Sequence, residues 1–171
     1  KIVFLHGLMA FSANWRKIAT RLESDFQCLI YDQRGHGRSF KPTNGYSPDE
    51  YAEDLHKISE ELGWHKFHLV GHSMGARISM VFAHKYPQKV LTLTLEDMGP
   101  SIVKESHLYY ENMLNIVPTP FGSKDEVRHF FESEFLKKFK PKEDPKTLIS
   151  FLQANIEEKS LNCFDWRFSK K

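Results

Sequence analysis

The five residues at 71–75, Gly-His-Ser-Met-Gly, are the segment of this sequence best suited to carry chemistry. A short apolar run precedes them and a helical pattern follows, so the sequence predicts a strand, a sharp turn and a helix, which is the setting of a nucleophile elbow. The flanking glycines let the backbone at Ser73 take a strained turn that larger side chains would crowd. In that turn the hydroxyl of Ser73 is held clear of the sheet, and the N–H of Met74 faces an oxyanion forming on the substrate.

Strands alternate with helices over residues 1–101, which favours a doubly wound parallel sheet. The apolar runs predict strands at residues 2–5, 26–31, 67–70 and 90–95. Three helices are predicted between them. The first follows Ser12, which is predicted to be its N-cap. The second begins at residues 47–50, Ser-Pro-Asp-Glu, which combine a cap, a proline at the first helical position and a glutamate three residues after the cap.

The pattern changes after residue 101. Helical periodicity predicts three consecutive helices at residues 103–116, 124–139 and 145–158. An aromatic stripe in the middle helix is predicted to be core. Residues 164–168 alternate with period two and predict a short strand. Such a helical insertion suggests a cap over the sheet edge at which the elbow opens.

The composition excludes several classes of function. A formal net charge of +2 indicates no strong field for nucleic acid or an anionic membrane. Two cysteines do not suffice for a metal site or a disulfide framework. No apolar run reaches the roughly 18 residues of a membrane helix. Without a phosphate-binding loop or a ligand cluster, no metal and no cofactor is predicted. Because the chain opens inside an apolar strand and does not begin with Met, we expect it to be a piece of a longer protein. We predict that this protein is cytoplasmic.

Two further motifs give the sequence a family resemblance. His-Gly occurs at residues 6–7 after the first strand, and Asp-Gln-Arg-Gly-His-Gly-Arg-Ser occurs at residues 32–39 after the second. With Gly-His-Ser-Met-Gly after the third strand, their order resembles that of the α/β-hydrolase superfamily over the whole chain. Within the loop at 32–39, Asp32 and Arg34 are predicted to pair.

The resemblance extends to a narrower group within that superfamily. Residues 6–15, 96–100 and 166–168 are similar to the small bacterial acyl-CoA esterases and their mitochondrial abhydrolase relatives, although Ala10 stands where that group often has glycine. The implied fold is a partial α/β-hydrolase core at residues 1–101 with a helical cap at residues 102–171, truncated at both ends.

The resemblance also implies roles for individual residues. Ser73 would be the nucleophile, and the N–H groups of Leu8 and Met74 would form the oxyanion hole. The acid of the triad follows the strand after the elbow in the narrower group, and Asp97 occupies that place, with Glu96 as a competitor. In many other α/β-hydrolases the acid follows a later strand, which would lie beyond this chain.

The base is predicted to be missing. The superfamily places its histidine after the last strand, in the order serine, acid, histidine, and no histidine here follows a terminal strand. His6 and His36 are interpreted as supports of the oxyanion loop and its neighbour. The remaining histidines are interpreted as structural or solvated: His56, His65, His68, His72, His84, His107 and His129. The base is therefore expected beyond Lys171, and the chain alone is expected to be nearly inactive.

These features predict a serine hydrolase that cleaves carboxylic esters or thioesters through an acyl-enzyme. Its partner would be a small-molecule ester or thioester, without nucleic acid and without an integral membrane segment. One alternative is a C–C bond hydrolase or a cofactor-free haloperoxidase with the same motifs. The other is a non-catalytic hydrolase-fold protein that binds a ligand, which the retained Ser73 disfavours.

Overall fold

A computed structural model of the chain describes residues 1–98 and 104–170, and the side chains of residues 104–107 lie outside that description. The chain divides into two compact units. The first comprises Lys1–Ser101 with Phe168–Lys171, and the second comprises Ile102–Arg167. The predicted helix start at residue 103 lies outside the described residues.

The first unit contains a four-stranded parallel sheet. Its strands are β1 (Ile2–Leu5), β2 (Cys28–Ile30), β3 (Phe67–His72) and β4 (Val90–Glu96). They lie in the order β2-β1-β3-β4, and every pairing is parallel. The predicted parallel sheet is confirmed. The second strand is shorter than its predicted range, since only Cys28, Leu29 and Ile30 pair with β1.

Helices cover both faces of this sheet, as the uninterrupted apolar sequence of β1 requires. They are α1 (Ala13–Leu22), α2 (Pro48–Glu61) and α3 (Met74–Lys85). On one face, Ile2 and Phe4 pack with Trp15 of α1. On the other face, Val3 and Leu5 pack with buried residues of α2 and α3. Successive side chains of β1 therefore belong to two separate hydrophobic cores, one on each face of the sheet.

The two predicted helix caps differ in outcome. At α2 the capping box is present, with Ser47 and Glu50 each bonding the backbone of the other. At α1, Ser12 has a helical backbone and makes no side-chain cap, so that prediction is wrong. The N–H of Ser12 instead donates to Asp32 Oδ1 at 2.8 Å. Ser12 therefore anchors the loop after β2 rather than capping its own helix.

The predicted pair of Asp32 and Arg34 is also wrong. Arg34 makes a bidentate pair with Asp54 of α2, with nitrogen–oxygen distances of 2.6 and 2.7 Å. Asp32 instead accepts the backbone N–H groups of Ser12 and Arg38, both at 2.8 Å. Two N–H donors already satisfy the Asp32 carboxylate, and the planar Arg34 guanidinium finds a matching carboxylate on the next helix.

The second unit mixes helices with a hairpin. Its helices are α4 (Lys104–Ile116), α5 (Lys124–His129), α6 (Phe135–Lys138) and α7 (Pro145–Ala154), with a π-helical turn at Phe130–Glu134 between α5 and α6. Strands β5 (Ile156–Ser160) and β6 (Cys163–Trp166) pair antiparallel. The helix predicted at 145–158 therefore ends four residues early. Asn155 closes it by donating its side-chain amide to the carbonyl of Phe151 at 2.9 Å.

The aromatic stripe of the second unit is core, as its spacing predicts. Phe130, Phe131 and Phe135 are buried and contact one another edge-on or tilted, at ring-centre distances between 5.3 and 6.2 Å.

Within the described residues, no helix combines the length and the apolar character that crossing a membrane requires.

Candidate active site

The predicted site residues lie at one edge of the sheet because β1, β3 and β4 are adjacent and parallel. Leu5 of β1 is aligned with Gly71 of β3, and Gly71 is aligned with Leu95 of β4. The residues that follow these strands therefore leave the sheet side by side. The structure brings together three sequence-predicted segments here: the His-Gly loop, the Ser73 turn and the turn at Asp97.

Ser73 occupies a backbone conformation that L-residues rarely adopt. Its φ is 52° and its ψ is −115°, between the last residue of β3 and the first residue of α3. Space at this turn exists only because both flanking residues are glycines. A Cβ on Gly71 would lie 2.5 Å from the carbonyl carbon of Gly75, and a Cβ on Gly75 would lie 2.7 Å from that of Leu5. The strain expected at Ser73 is therefore present in the backbone.

Two N–H groups lie at the places where an oxyanion hole is predicted. Met74 is the first residue of α3, so its N–H has no partner within the helix and lies at the positive end of the helix dipole. The loop after β1 passes close to the serine, since a Cβ on Gly7 would lie 3.3 Å from the Cβ of Ser73. Leu8 follows directly. Across residues 1–98 and 104–170, neither the Leu8 nor the Met74 N–H donates to a protein acceptor.

Asp97 lies directly after β4 and is tied to the serine turn through its neighbour. The N–H of Ser73 donates to the carbonyl of Glu96 at 2.9 Å. Asp97 has a φ of 55°, and its side chain is 83% exposed with one carboxylate oxygen 3.9 Å from Nε2 of His72. That distance is too long for a hydrogen bond. The Asp97 carboxylate is therefore open to a further partner.

A buried pair of side chains supports the loop after β1. His6 is 1% exposed, and its Nε2 accepts the backbone N–H of Gln33 at 3.0 Å. Burial lowers the pKa of His6 to about 4, helped by the neighbouring His36, so the ring is neutral. The side-chain amide of Gln33 donates to the His6 carbonyl at 2.8 Å. Sequence reasoning did not single out Gln33, whose only signal is its position inside the motif at 32–39.

His36 lies beside this pair, as predicted for a structural residue. Its ring contacts the ring of His6 edge-on at a centre distance of 5.1 Å, and its Nδ1 lies 2.9 Å from the carbonyl of Arg34. Burial lowers the pKa of His36. The buried His36 ring therefore packs against the neutral ring of His6 and helps to exclude water from it.

Two of the other histidines have partners away from the serine. His56 stacks on Tyr86 at 4.2 Å, and His68 Nδ1 lies 2.8 Å from the hydroxyl of Thr92. The side chain of His107 lies outside the described residues. In the part of the chain that the structure describes, no side chain exchanges a hydrogen bond with the Ser73 hydroxyl, and no group of three His, Cys, Asp or Glu side chains could hold a metal ion.

The chain is similar in sequence to known proteins. A family model described as the alpha/beta hydrolase fold matches residues 2–138. A 2-(acetamidomethylene)succinate hydrolase of Mesorhizobium japonicum is 39% identical over 105 residues, covering 61% of this chain and 38% of that protein. An sn-1-specific diacylglycerol lipase of Danio rerio is 30% identical over 174 residues, covering 98% of this chain and 53% of that protein.

A solved structure is similar over nearly the whole chain. It is that of a marine microorganism esterase, which superposes with a TM-score of 0.84 at 28% identity, and the match covers 98% of this chain and 64% of that one. The chain therefore spans 38% and 53% of the two curated relatives, and 64% of the solved structure.

Proposed function

Because this chain belongs to the α/β-hydrolase family, whose model matches residues 2–138, we propose that the protein containing it is a serine hydrolase of carboxylic esters or thioesters. The observation that carries the proposal is the strained backbone of Ser73, with its φ of 52° between β3 and α3. Strain of this kind persists only where the surrounding structure enforces it, and it concentrates at functional residues.

In the proposed reaction, the Ser73 hydroxyl attacks the carbonyl carbon of the ester or thioester. The carbonyl oxygen becomes an oxyanion, which accepts hydrogen bonds from the N–H groups of Leu8 and Met74. Each such donor contributes about 100- to 1,000-fold in rate. Collapse of this intermediate expels the alcohol or thiol and leaves an acyl group on Ser73, which water then removes.

A base must take the proton from Ser73, and we place it on a histidine beyond Lys171. Asp97 is the proposed acid that orients this base and stabilises its charged form. Its exposed carboxylate, which makes no hydrogen bond with His72 at 3.9 Å, leaves room for the incoming ring. Residues 1–171 alone would then hold the nucleophile and the acid without the base.

Labelling of the full-length protein with a fluorophosphonate probe tests the proposal, because such probes react with activated serines. Wild type should be labelled, and Ser73→Ala should abolish both labelling and ester hydrolysis. Ser160→Ala, at an exposed serine of β5, is the matched control and should be labelled like wild type. Labelling that survives Ser73→Ala would remove Ser73 as the nucleophile.

A further inference from the structure

The direction of the Leu8 N–H depends on the backbone of Gly7. Gly7 joins two peptide units, one shared with His6 and one shared with Leu8. Without a Cβ, its φ and ψ are less restricted by sterics than those of any other residue. The Leu8 N–H must keep a fixed direction if it is to face a forming oxyanion. Interactions other than the local sterics of Gly7 therefore have to fix the orientation of both peptide units.

Hydrogen bonds hold each of these peptide units by its carbonyl group. The His6 carbonyl accepts from the side-chain amide of Gln33 at 2.8 Å. The Gly7 carbonyl lies 2.9 Å from His6 Nδ1 and accepts the N–H of Ala10 at 3.2 Å. Since the backbone N–H of Gln33 donates to His6 Nε2 at 3.0 Å, that nitrogen is the acceptor of the neutral ring. The proton therefore lies on Nδ1, which donates to the Gly7 carbonyl.

We propose that Gln33 is a positioning residue for the oxyanion hole, acting through His6 and Gly7 on the Leu8 N–H. In a planar trans peptide the C=O and N–H point in opposite directions. Fixing the Gly7 carbonyl therefore fixes the Leu8 N–H on the other side. Gln33 sets both peptide units, since its side chain holds the first carbonyl and its backbone selects the His6 tautomer that holds the second.

The position of Gln33 separates this role from substrate binding. Gln33 is 1% exposed, so it does not touch a substrate. Its Oε1 is buried and has no hydrogen-bond partner within the described residues. The site therefore uses only the donor end of the amide and leaves the acceptor end unsatisfied, at a cost of about 1–3 kcal/mol. An apolar side chain of similar length would avoid that cost but could not hold the His6 carbonyl.

The inference rests on the proposed function, and steady-state kinetics of the full-length protein tests it. Gln33→Met removes the side-chain donor while keeping its length. We expect kcat to fall about 10- to 100-fold with KM within about twofold of wild type, because an oxyanion donor acts on the transition state. A trifluoromethyl ketone, which binds serine hydrolases as an oxyanion adduct, should lose affinity by the same factor.

Asn155 provides a matched control in the second unit. It is also a buried amide, which donates to the Phe151 carbonyl at 2.9 Å and whose Oδ1 has no partner within the described residues. Asn155→Leu should lower the thermal stability about as much as Gln33→Met, and it should leave kcat within about twofold of wild type. A kcat that falls equally in both variants would overturn the inference, because loss of stability would then explain it.

Gln33→Glu provides a second test that does not depend on the folding of Gln33→Met. The introduced carboxyl can donate to the His6 carbonyl only when protonated, and burial favours that form. The ratio of variant to wild-type kcat should therefore fall as the pH rises from about 6 to about 9. The titratable groups that interact with His6 are His36, Asp32 and His72, and all of them are present in both proteins. A wild-type kcat at a pH at which difference infrared spectroscopy shows the introduced carboxyl to be ionised would overturn the inference.

The two hypotheses fail in different ways. A wild-type protein that neither hydrolyses esters nor reacts with a fluorophosphonate would overturn the proposed function. An active wild type whose Gln33→Met variant keeps its kcat and its affinity for the trifluoromethyl ketone would overturn only the role of Gln33.

Discussion

At the scale of single residues, backbone strain coincides with the predicted chemistry. Among the described residues, four that are not glycine have a positive φ: Met9, Ser73, Asp97 and Asn162. Three of them follow β1, β3 and β4 at one edge of the sheet, in the loops that contain the proposed oxyanion donor, nucleophile and acid. Strain costs free energy, of the order of 1–3 kcal/mol per residue, and its concentration at this edge supports a site there.

The role of Asp97 can be tested by removing its charge. Asp97→Asn should lower kcat of the full-length protein by about 10,000-fold if the carboxylate orients the catalytic base and stabilises its charged form, as in the serine-protease triad. KM should change little. Asp25→Asn, at an exposed aspartate before β2, should keep wild-type kinetics. Near-normal turnover in Asp97→Asn would move the acid to a later residue.

His6 predicts a specific loss of stability in acid. Its folded pKa of about 4 lies below the unfolded value of about 6.5, so the unfolded chain binds a proton first. The stability that depends on neutral His6 is complete above about pH 6.5 and is lost as the pH falls towards 4, a difference of about 3 kcal/mol. Urea unfolding of wild type and His6→Gln should show a shallower pH dependence in the variant. Parallel curves for the two proteins would contradict this assignment.

At the scale of elements, the serine turn depends on how closely α3 approaches β1. Gly75 lies in the first turn of α3, and a Cβ there would lie 2.7 Å from the carbonyl carbon of Leu5 and 2.8 Å from the carbonyl oxygen of His6. Backbone atoms of a central strand cannot yield as a flexible side chain would. The second glycine of the motif at 71–75 thus lets the helix begin directly against the sheet, which places Ser73 beside the loop after β1.

Substitution of this glycine should therefore destabilise the fold despite the high helix propensity of alanine. Gly75→Ala is expected to lower the free energy of unfolding by about 3 kcal/mol or more, since the clash is with backbone. Gly63→Ala, where φ is 63° but nothing lies within 4 Å of a new Cβ, should cost only about 1–2 kcal/mol for the left-handed conformation. Equal losses in chemical denaturation would contradict the packing role of Gly75.

At the scale of the whole molecule, local patterns predict the elements of the first unit, whereas contacts between distant residues are not predictable from them. The strand-turn-helix at Ser73 and the cap at Ser47 follow from neighbouring residues, and the structure contains both. The partner of Arg34 is Asp54, 20 residues away, and the clamp of Gln33 on His6 spans 27 residues. The sequence of a loop does not indicate with which distant residue its side chains will form a hydrogen bond or an ion pair.

The hairpin of the second unit shows a different limit of predicting secondary structure from local sequence. Leu148, Leu152 and Ile156 have the apolar spacing of a helix, which is consistent with the helix that the sequence predicts at residues 145–158. The structure ends the helix at Ala154 because Asn155 turns back to the Phe151 carbonyl, and the following residues pair with β6 instead. Tertiary pairing overrides a helical period that is locally consistent.

The first unit exposes apolar side chains along β4. This strand ends the sheet order, and Leu91, Leu93 and Leu95 are 51%, 39% and 39% exposed. An apolar strand at a sheet edge favours pairing with other chains. Residues 1–171 produced alone should therefore self-associate in sedimentation velocity, and Leu93→Lys should reduce the association. Leu161→Lys, at a leucine that is 86% exposed between β5 and β6, should not, and equal effects of both would contradict a role for β4.

Peptide mapping of the trapped acyl-enzyme tests most directly whether Ser73 carries the acyl group. The full-length protein is mixed with p-nitrophenyl acetate, quenched in acid during turnover, digested and analysed by mass spectrometry. We expect one acetyl group on the peptide that contains Ser73, and none in Ser73→Ala. Turnover with the acetyl group on a residue other than Ser73 would contradict this role of the serine.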